Sequence, residues 1–222
     1  MWLALYACTT PPPIPATEIG NPERVLGVAT FDPVGDQLQR IDSAWVSLGH
    51  TKFVLDPGSE VEELEWETPT VVADLLLGAV EIEFRSPNAF YEEIRVRPQH
   101  GRDAPANAPA DLKDGSFVVD GTRADGVPFH LVSRFEDDID LFGTFELGKG
   151  QVTLALGFDV STWLDGVNLD AANVQGGSIF IDRDHNEPQM NAFDANIADS
   201  IRLTDDLDED GQVGEADAVL LD

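Results

Sequence analysis

The segment 206–217 carries residue types and a spacing that suit a hard metal cation. In a frame of twelve positions, carboxylates occupy positions 1, 3, 5 and 12, as Asp206, Asp208, Asp210 and Asp217. Calcium takes about six to eight oxygen ligands, and alternate residues of a tight loop point such oxygens at one ion. Gln212, at position 7, would add its backbone carbonyl. The sequence therefore predicts a Ca²⁺ site built from these five residues.

The residues between the ligands fit the same interpretation. Gly211, at position 6, permits the sharp turn with positive φ that a side chain would oppose. Val213, at position 8, would turn inward against apolar neighbours, and water would fill position 9 because Gly214 has no side-chain oxygen. Asp217 reaches less far than the usual glutamate at position 12, which lowers the preference for calcium over magnesium.

The run from Asp206 to Leu221 resembles the calcium loop of the EF-hand superfamily. Asp217 and the Leu220–Leu221 pair are similar to the dockerin-type branch of that superfamily. The resemblance implies Ca²⁺ as the bound ion. Dockerins carry two such repeats and this sequence has one good copy, so the resemblance implies metal binding rather than cohesin binding. The alternative interpretation is a solvated acidic tail with accidental spacing.

Short helices are predicted on both sides of this loop. Phe193, Ile197 and Ile201 recur every four residues, which is typical of one face of an entering helix. Residues 218–222 predict an exit helix of about a turn and a half. From Asp182 to Asp222 there are 13 acidic and two basic residues, a net charge of −11. We therefore expect the folding of this segment to be linked to metal binding.

A second acidic cluster lies upstream and begins like another calcium loop. Asp182, Asp184 and Asn186 place oxygens at positions 1, 3 and 5, but Glu187 and Pro188 follow where a glycine is needed. A degenerate partner loop is one interpretation. The sequence favours the other, a polar turn after the apolar strand 178–181, with His185 exposed in it.

The N-terminus resembles the end of a bacterial lipoprotein signal peptide. Leu5, Ala7 and Cys8 match the lipobox pattern, and a proline-rich stretch follows at 11–15. The resemblance implies cleavage before Cys8, acylation of Cys8 and delivery to the outer membrane, where the protein would be periplasmic or surface-exposed. The alternative is an ordinary N-terminus with a buried or idle cysteine.

The composition restricts the class of partner. The chain of 222 residues has 42 acidic and 13 basic residues, a net charge of −29, so its surface repels nucleic acid and anionic lipid headgroups. One cysteine cannot form an internal disulfide. No segment reaches the roughly twenty apolar residues of a membrane span, so a lipid anchor is the membrane attachment that the sequence allows.

The middle of the chain is predicted to be all-β. Short alternating apolar runs are separated by turn residues, which predicts an antiparallel β-sandwich, Ig-like or similar, over residues 22–181. Residues 1–21 would be the signal remnant and tether, and residues 182–222 the acidic C-terminal segment. Hairpins are predicted at Asp125-Gly126 and at 148–150. Phe158 and Trp163 are predicted to be core or sheet-edge aromatics, with stacking on a ligand as the alternative.

No catalytic constellation is evident in the sequence. His50, His100, His130 and His185 are scattered, and there is no nucleophile elbow or phosphate-binding glycine loop. His130 lies inside an alternating strand, which favours a hydrogen-bonded structural histidine over a catalytic base. An enzyme is therefore the function class that the sequence favours least.

The sequence predicts a calcium-binding, exported cell-surface lipoprotein with a structural or adhesive role. Calcium would order the acidic C-terminal segment, and the partner would be a cell-surface protein or polysaccharide. The alternative is an interaction module, either a dockerin-like half-site or a carbohydrate-binding sandwich. Exposed aromatic rings on one sheet face would favour binding of sugars.

Overall fold

The chain folds into two mixed β-sheets that curl into a half-barrel, with a single α-helix in the described part of the chain. The structure is a computed structural model, and it describes residues 23–30, 41–56, 65–148, 153–205 and 218–221. The mainly-β prediction is confirmed. The predicted Ig-like sandwich is not confirmed.

The smaller sheet has five strands in the order β14-β13-β10-β1-β5. Their bounds are Glu23–Thr30 (β1), Val80–Arg85 (β5), Thr153–Phe158 (β10), Ile201–Asp205 (β13) and Ala218–Leu221 (β14). The central pair, β1 and β10, is parallel, and the other pairs are antiparallel. Both central strands are buried along most of their length, as their runs of small and apolar residues require.

The larger sheet has nine strands, seven of them in the order β11-β12-β8-β7-β2-β6-β9, with β3 and β4 also paired to β2. Their bounds are Ile41–Leu55 (β2), Glu65–Glu67 (β3), Val71–Asp74 (β4), Ala89–Pro98 (β6), Phe117–Thr122 (β7), Pro128–Ser133 (β8), Ile139–Leu147 (β9), Val174–Gln175 (β11) and Ser178–Ile181 (β12). In β6, Ile94 and Val96 face the core while Arg95 and Arg97 face outward, which is the alternation predicted from the sequence.

Four helical elements occur in the described part of the chain. They are the α-helix Glu187–Asp199 (α1) and the 3₁₀ helices Ala110–Lys113 (η1), Val160–Thr162 (η2) and Leu169–Ala171 (η3). Helix α1 has Pro188 in its first turn, where a missing N–H costs nothing. Its residues Phe193 and Ile197 are fully buried in the core shared by both sheets.

An aromatic cluster lies at the centre of that core. Phe117, Phe158 and Phe193 surround Trp163 in edge-to-face contacts, with ring centroids 5.7 to 6.1 Å from the indole. The indole Nε1–H donates to Ser200 Oγ at 2.9 Å, so the polar atom is satisfied. Phe158 and Trp163 are both 0% exposed, which confirms the prediction that they are core residues.

Two strand pairs depart from the predicted antiparallel architecture. β1 pairs with β10 in parallel, and β12 pairs with β8 in parallel. Alternation of apolar residues shows which face of a strand is buried but not the direction of its neighbour. The parallel pairs join strands far apart in the chain, where no turn signal exists to reveal them.

One of the two predicted hairpins is confirmed and the other is wrong. Strands β7 and β8 form the hairpin at Asp125-Gly126, where Gly126 adopts a φ of +89°. Residues 148–150 do not close a hairpin, because β9 pairs with β6 in the large sheet while β10 pairs with β1 and β13 in the small one. The chain therefore passes from the larger sheet to the smaller one between Leu147 and Thr153.

Of the predicted helices around the C-terminal loop, the entering helix exists but ends before the loop, and the exit helix is wrong. Helix α1 ends at Asp199, and Ile201 begins strand β13 instead of extending the helical face. Residues 218–221 form strand β14, antiparallel to β13, and not an exit helix. Leu203 and Leu221 enter the common core, so burial in the sheet outweighs the weak helical periodicity.

We expect Trp163→Ala to lower the free energy of unfolding by about 3–5 kcal/mol, because it leaves a cavity among three aromatic rings and removes the hydrogen bond from the indole to Ser200 Oγ. The matched control is Phe142→Ala, because the Phe142 ring is 68% exposed. This substitution should lower the free energy of unfolding by about 0.5 kcal/mol or less. Urea denaturation measures both. Equal losses in the two variants would contradict this account of the core.

Candidate functional site

The predicted calcium ligands Asp206, Asp208, Asp210, Gln212 and Asp217 lie outside the described residues, but both flanks of their loop are described. Asp205 and Ala218 are partners across the antiparallel β13–β14 pair. Such partners have Cα atoms about 4.5–5.5 Å apart. The two ends of the segment 206–217, here called the acidic loop, are therefore anchored side by side.

Strand β14 lies at the junction between the two sheets. Leu221 is 3% exposed and belongs to the core, and β14 also contacts β9 of the larger sheet. At Gly143 of β9, an added Cβ would lie 2.7 Å from Leu221 Cδ2. Any interaction that fixes β14 therefore also fixes how the edges of the two sheets meet.

The second acidic cluster forms the polar turn that the sequence favoured. Asp182 Oδ1 accepts hydrogen bonds from the backbone N–H groups of Asp184 and His185, both at 2.8 Å. The Asn186 amide donates to Phe180 O at 2.7 Å. The polar groups of Asp182 and Asn186 are therefore used in hydrogen bonds that stabilise the turn. Within the described ranges, no three His, Cys, Asp or Glu side chains come together as a metal site.

His130 lies between two carboxylates on the outer face of the larger sheet. Its Nδ1 is 2.7 Å from Asp120 Oδ1, and its Nε2 is 3.3 Å from Asp111 Oδ2 on η1, an ion pair without hydrogen-bond alignment. Asp120 also accepts from Ser43 Oγ at 3.2 Å. The hydroxyl bonds to the carboxylate and not to the imidazole, so this is no Ser-His-Asp triad. The predicted hydrogen-bonded histidine is confirmed.

The carboxylates keep His130 charged over a wider pH range than a free histidine. The hydrogen bond to Asp120 raises the pKa of His130 above 6.5 against the opposing effect of burial, and the charge of Asp111 adds to the rise. The same hydrogen bond lowers the pKa of Asp120. The ion pair with Asp111 ties η1 to the sheet while the imidazole is protonated.

A cleft of about 430 Å³ opens farther along the same outer face, beneath the segment 99–115, here called the covering loop. The backbone of Ser47 in β2 holds both ends of that loop. Its N–H donates to Ser116 O at 2.8 Å, and its carbonyl accepts from Gln99 N at 3.0 Å. Within the loop, Gly101 N–H donates to Leu112 O at 2.7 Å. The cleft therefore has a fixed backbone frame.

The wall of the cleft is mainly polar. Its lining comprises Ser47, Thr70, Val72, Gln99, His100, Gly101, Arg102, Asp103, Pro105 and Glu136. His100 Nε2 is 3.5 Å from Glu136 Oε1. Leu112, fully buried against Trp45 and Val118, holds the covering loop onto the sheet beside the cleft.

Ion pairs line the outer face that leads to the cleft. Arg95 in β6 pairs with Asp140 at 3.0 Å and Arg97 pairs with Asp138 at 3.5 Å, followed by the His100–Glu136 pair. Acidic residues in this stretch are thus matched by the scarce basic ones. The cleft could not be predicted from the sequence, because the glycine- and proline-rich stretch at 99–112 indicates only a loop.

A search for similar proteins adds no relative to this description: no family model, no curated protein and no solved structure matches the chain. Cys8, the predicted acylation site, lies outside the described residues. In the part of the chain that the structure describes, no helix has the length and apolar character needed to cross a membrane.

We expect the stabilising contribution of His130 to depend on pH. Since its folded pKa is raised, the contribution is complete below the unfolded value of 6.5 and is lost as the pH rises through the folded pKa. The difference in free energy of unfolding between the parent and His130→Gln should therefore shrink from about pH 5.5 to about pH 8.5. Denaturant titration at each pH measures it.

Asp111→Asn is the matched test of the second carboxylate. It should lower the pKa of His130 while leaving the bond to Asp120 intact, as read from the imidazole shifts by NMR. A parent His130 that titrates below 6.5 would contradict the account.

Proposed function

We propose that the protein is a calcium-binding cell-surface protein with a structural or adhesive role. Asp206, Asp208, Asp210 and Asp217 would supply side-chain oxygens and Gln212 a carbonyl. The observation that carries the proposal is the pairing of Asp205 with Ala218. A single ion can use positions 1 and 12 of a twelve-residue loop only if the ends of that loop are close together, and this pairing supports that condition.

Electrostatic repulsion gives calcium its role in this proposal. The segment 182–222 has a net charge of −11, and half of its acidic residues lie within or beside the acidic loop. A divalent ion offsets part of that repulsion and favours the paired state of β13 and β14. Because Leu221 of β14 packs against Gly143 of β9, calcium would stabilise the junction of the two sheets.

Attachment to the outer membrane is part of the same proposal. Acylation at Cys8 would attach the chain to the outer membrane, with the half-barrel periplasmic or at the cell surface. The excess of acidic side chains suits a medium rich in salt or divalent cations, where screening reduces self-repulsion.

We expect calorimetric titration of the purified chain with Ca²⁺ to show saturable one-site binding that Asp206→Ala/Asp210→Ala abolishes. Calcium at about one hundred times its Kd should raise the free energy of unfolding by about 2.7 kcal/mol in the parent and not in the double variant. Urea denaturation with and without the ion measures this difference.

The control variant is Glu81→Ala/Asp114→Ala, which changes the net charge by the same amount at two exposed carboxylates outside the loop. It should bind calcium like the parent. If neither the parent nor the control variant gives heat at millimolar calcium, the acidic loop is a solvated tail and the calcium proposal is wrong.

Cys8→Ser tests the anchor separately. In bacteria that express the gene from its own start and are fed labelled palmitate, the parent should carry label and fractionate with membranes. The variant should lose the label and appear in the soluble fraction. Equal labelling of both forms would contradict acylation at Cys8.

A further inference from the structure

We propose that the cleft beneath the covering loop binds a neutral saccharide through its hydroxyl groups. A volume of about 430 Å³ lies within the range of roughly 300–1,000 Å³ that small-molecule sites occupy. Its lining of hydroxyl, amide, imidazole and carboxylate groups offers both hydrogen-bond donors and hydrogen-bond acceptors. An apolar ligand would leave those groups without partners, whereas a polyhydroxylated ligand satisfies them.

Four polar side chains in the cleft are available for a ligand. Among the described residues, the side chains of Ser47, Thr70, Gln99 and Arg102 have neither a hydrogen-bond nor an ion-pair partner. Ser47 is the most informative, because the residue is only 1% exposed. Its backbone groups hold the covering loop, which leaves its hydroxyl free at the wall of the cleft. That hydroxyl has no hydrogen-bond partner among the described residues and borders the cleft, so a hydroxyl group of a ligand there can bond to it.

The charges of the cleft favour an uncharged ligand. The lining holds one arginine, Arg102, against two carboxylates, Asp103 and Glu136, and the whole chain carries −29, so free anions gain little here and are repelled at long range. A metal cation is not favoured either, since no group of three metal-ligating side chains occurs in the described ranges. Hydroxyl groups accept and donate at once, so they can pair with both the guanidinium and the carboxylates.

The frame around the cleft is held in place before a ligand arrives. Leu112 anchors the covering loop in the small cluster with Trp45 and Val118, and a Cβ added at Gly101 would lie 2.8 Å from Leu112 Cγ. A Cβ added at Gly49 would lie 2.9 Å from Gln99 Oε1, so that glycine leaves room for the amide. A pre-formed frame loses little conformational entropy on binding a small ligand.

This inference deepens the adhesive role proposed above and rests on that role only for its biological setting. The cleft is formed by β2, the residues before β4 and the covering loop, whereas the calcium loop lies between β13 and β14. Loss of calcium binding would therefore leave the saccharide site in place, and the two proposals fail independently.

The experiment is an NMR titration of the ¹⁵N-labelled full chain with glucose, galactose, mannose, N-acetylglucosamine, cellobiose, maltose and lactose, each to millimolar concentration. We expect at least one sugar to give saturable shifts of the amides of Ser47, Thr70 and residues 99–103. Ser47→Ala should lower the affinity for that sugar about tenfold, which is the effect of one lost hydrogen bond. Repeating the titration with EDTA should give the same affinity.

The matched control is Ser43→Ala, a serine on the same strand whose hydroxyl bonds to Asp120 outside the cleft. It should bind the sugar like the parent, and both variants should keep the calcium response of the parent. The proposal is overturned if no sugar in the panel shifts the cleft amides, or if Ser47→Ala binds as well as Ser43→Ala. Shifts confined to other surfaces, or produced by acetate or phosphate and by no sugar, also overturn it.

Discussion

The fold depends on one long strand that pairs with four others. Over its 15 residues, β2 bonds to β7 through its first half, to β6 through its second half, and to β4 and β3 along the way. A register irregularity between Leu48 and Thr51 lets one strand satisfy partners in different directions. Without β2 the larger sheet would separate into the β6–β9 pair, the group β7-β8-β12-β11 and the single strands β3 and β4. The core between the sheets would then have no continuous wall.

The same strand connects the core to the surface chemistry. Ala44, Val46 and Leu48 face the core, while the alternate residues Ser43, Trp45 and Ser47 face outward. Ser43 therefore reaches the Asp120–His130 pair, Trp45 anchors the covering loop, and Ser47 forms part of the cleft. The spacing of the outer sites follows from the two-residue repeat of a single strand, so a shift of register in β2 would remove them all together.

The sequence predicted elements well and their arrangement poorly. Alternation located β5, β6, β7 and β8, and the Asp125-Gly126 turn identified the β7–β8 hairpin, because both signals are local. The change of sheet between β9 and β10 and the two parallel pairs depend on partners distant in the chain, and the strand at 218–221 depends on burial of Leu221 in the common core. The cleft escaped prediction for the same reason, since Ser47, Thr70 and Glu136 meet only after the sheet has formed.

The position of β1 has a consequence for how the chain folds. Thr30 and Phe158, joined by a hydrogen bond, are 128 residues apart in sequence. The pairing of β1 with β10 therefore cannot form until most of the chain has been synthesised, whereas the β7–β8 hairpin can form from neighbouring segments. During synthesis β1 can pair with β5, but its other edge stays without β10 and is open to aggregation or to chaperones that bind unfolded chains. The half-barrel thus closes only after β10 has been synthesised.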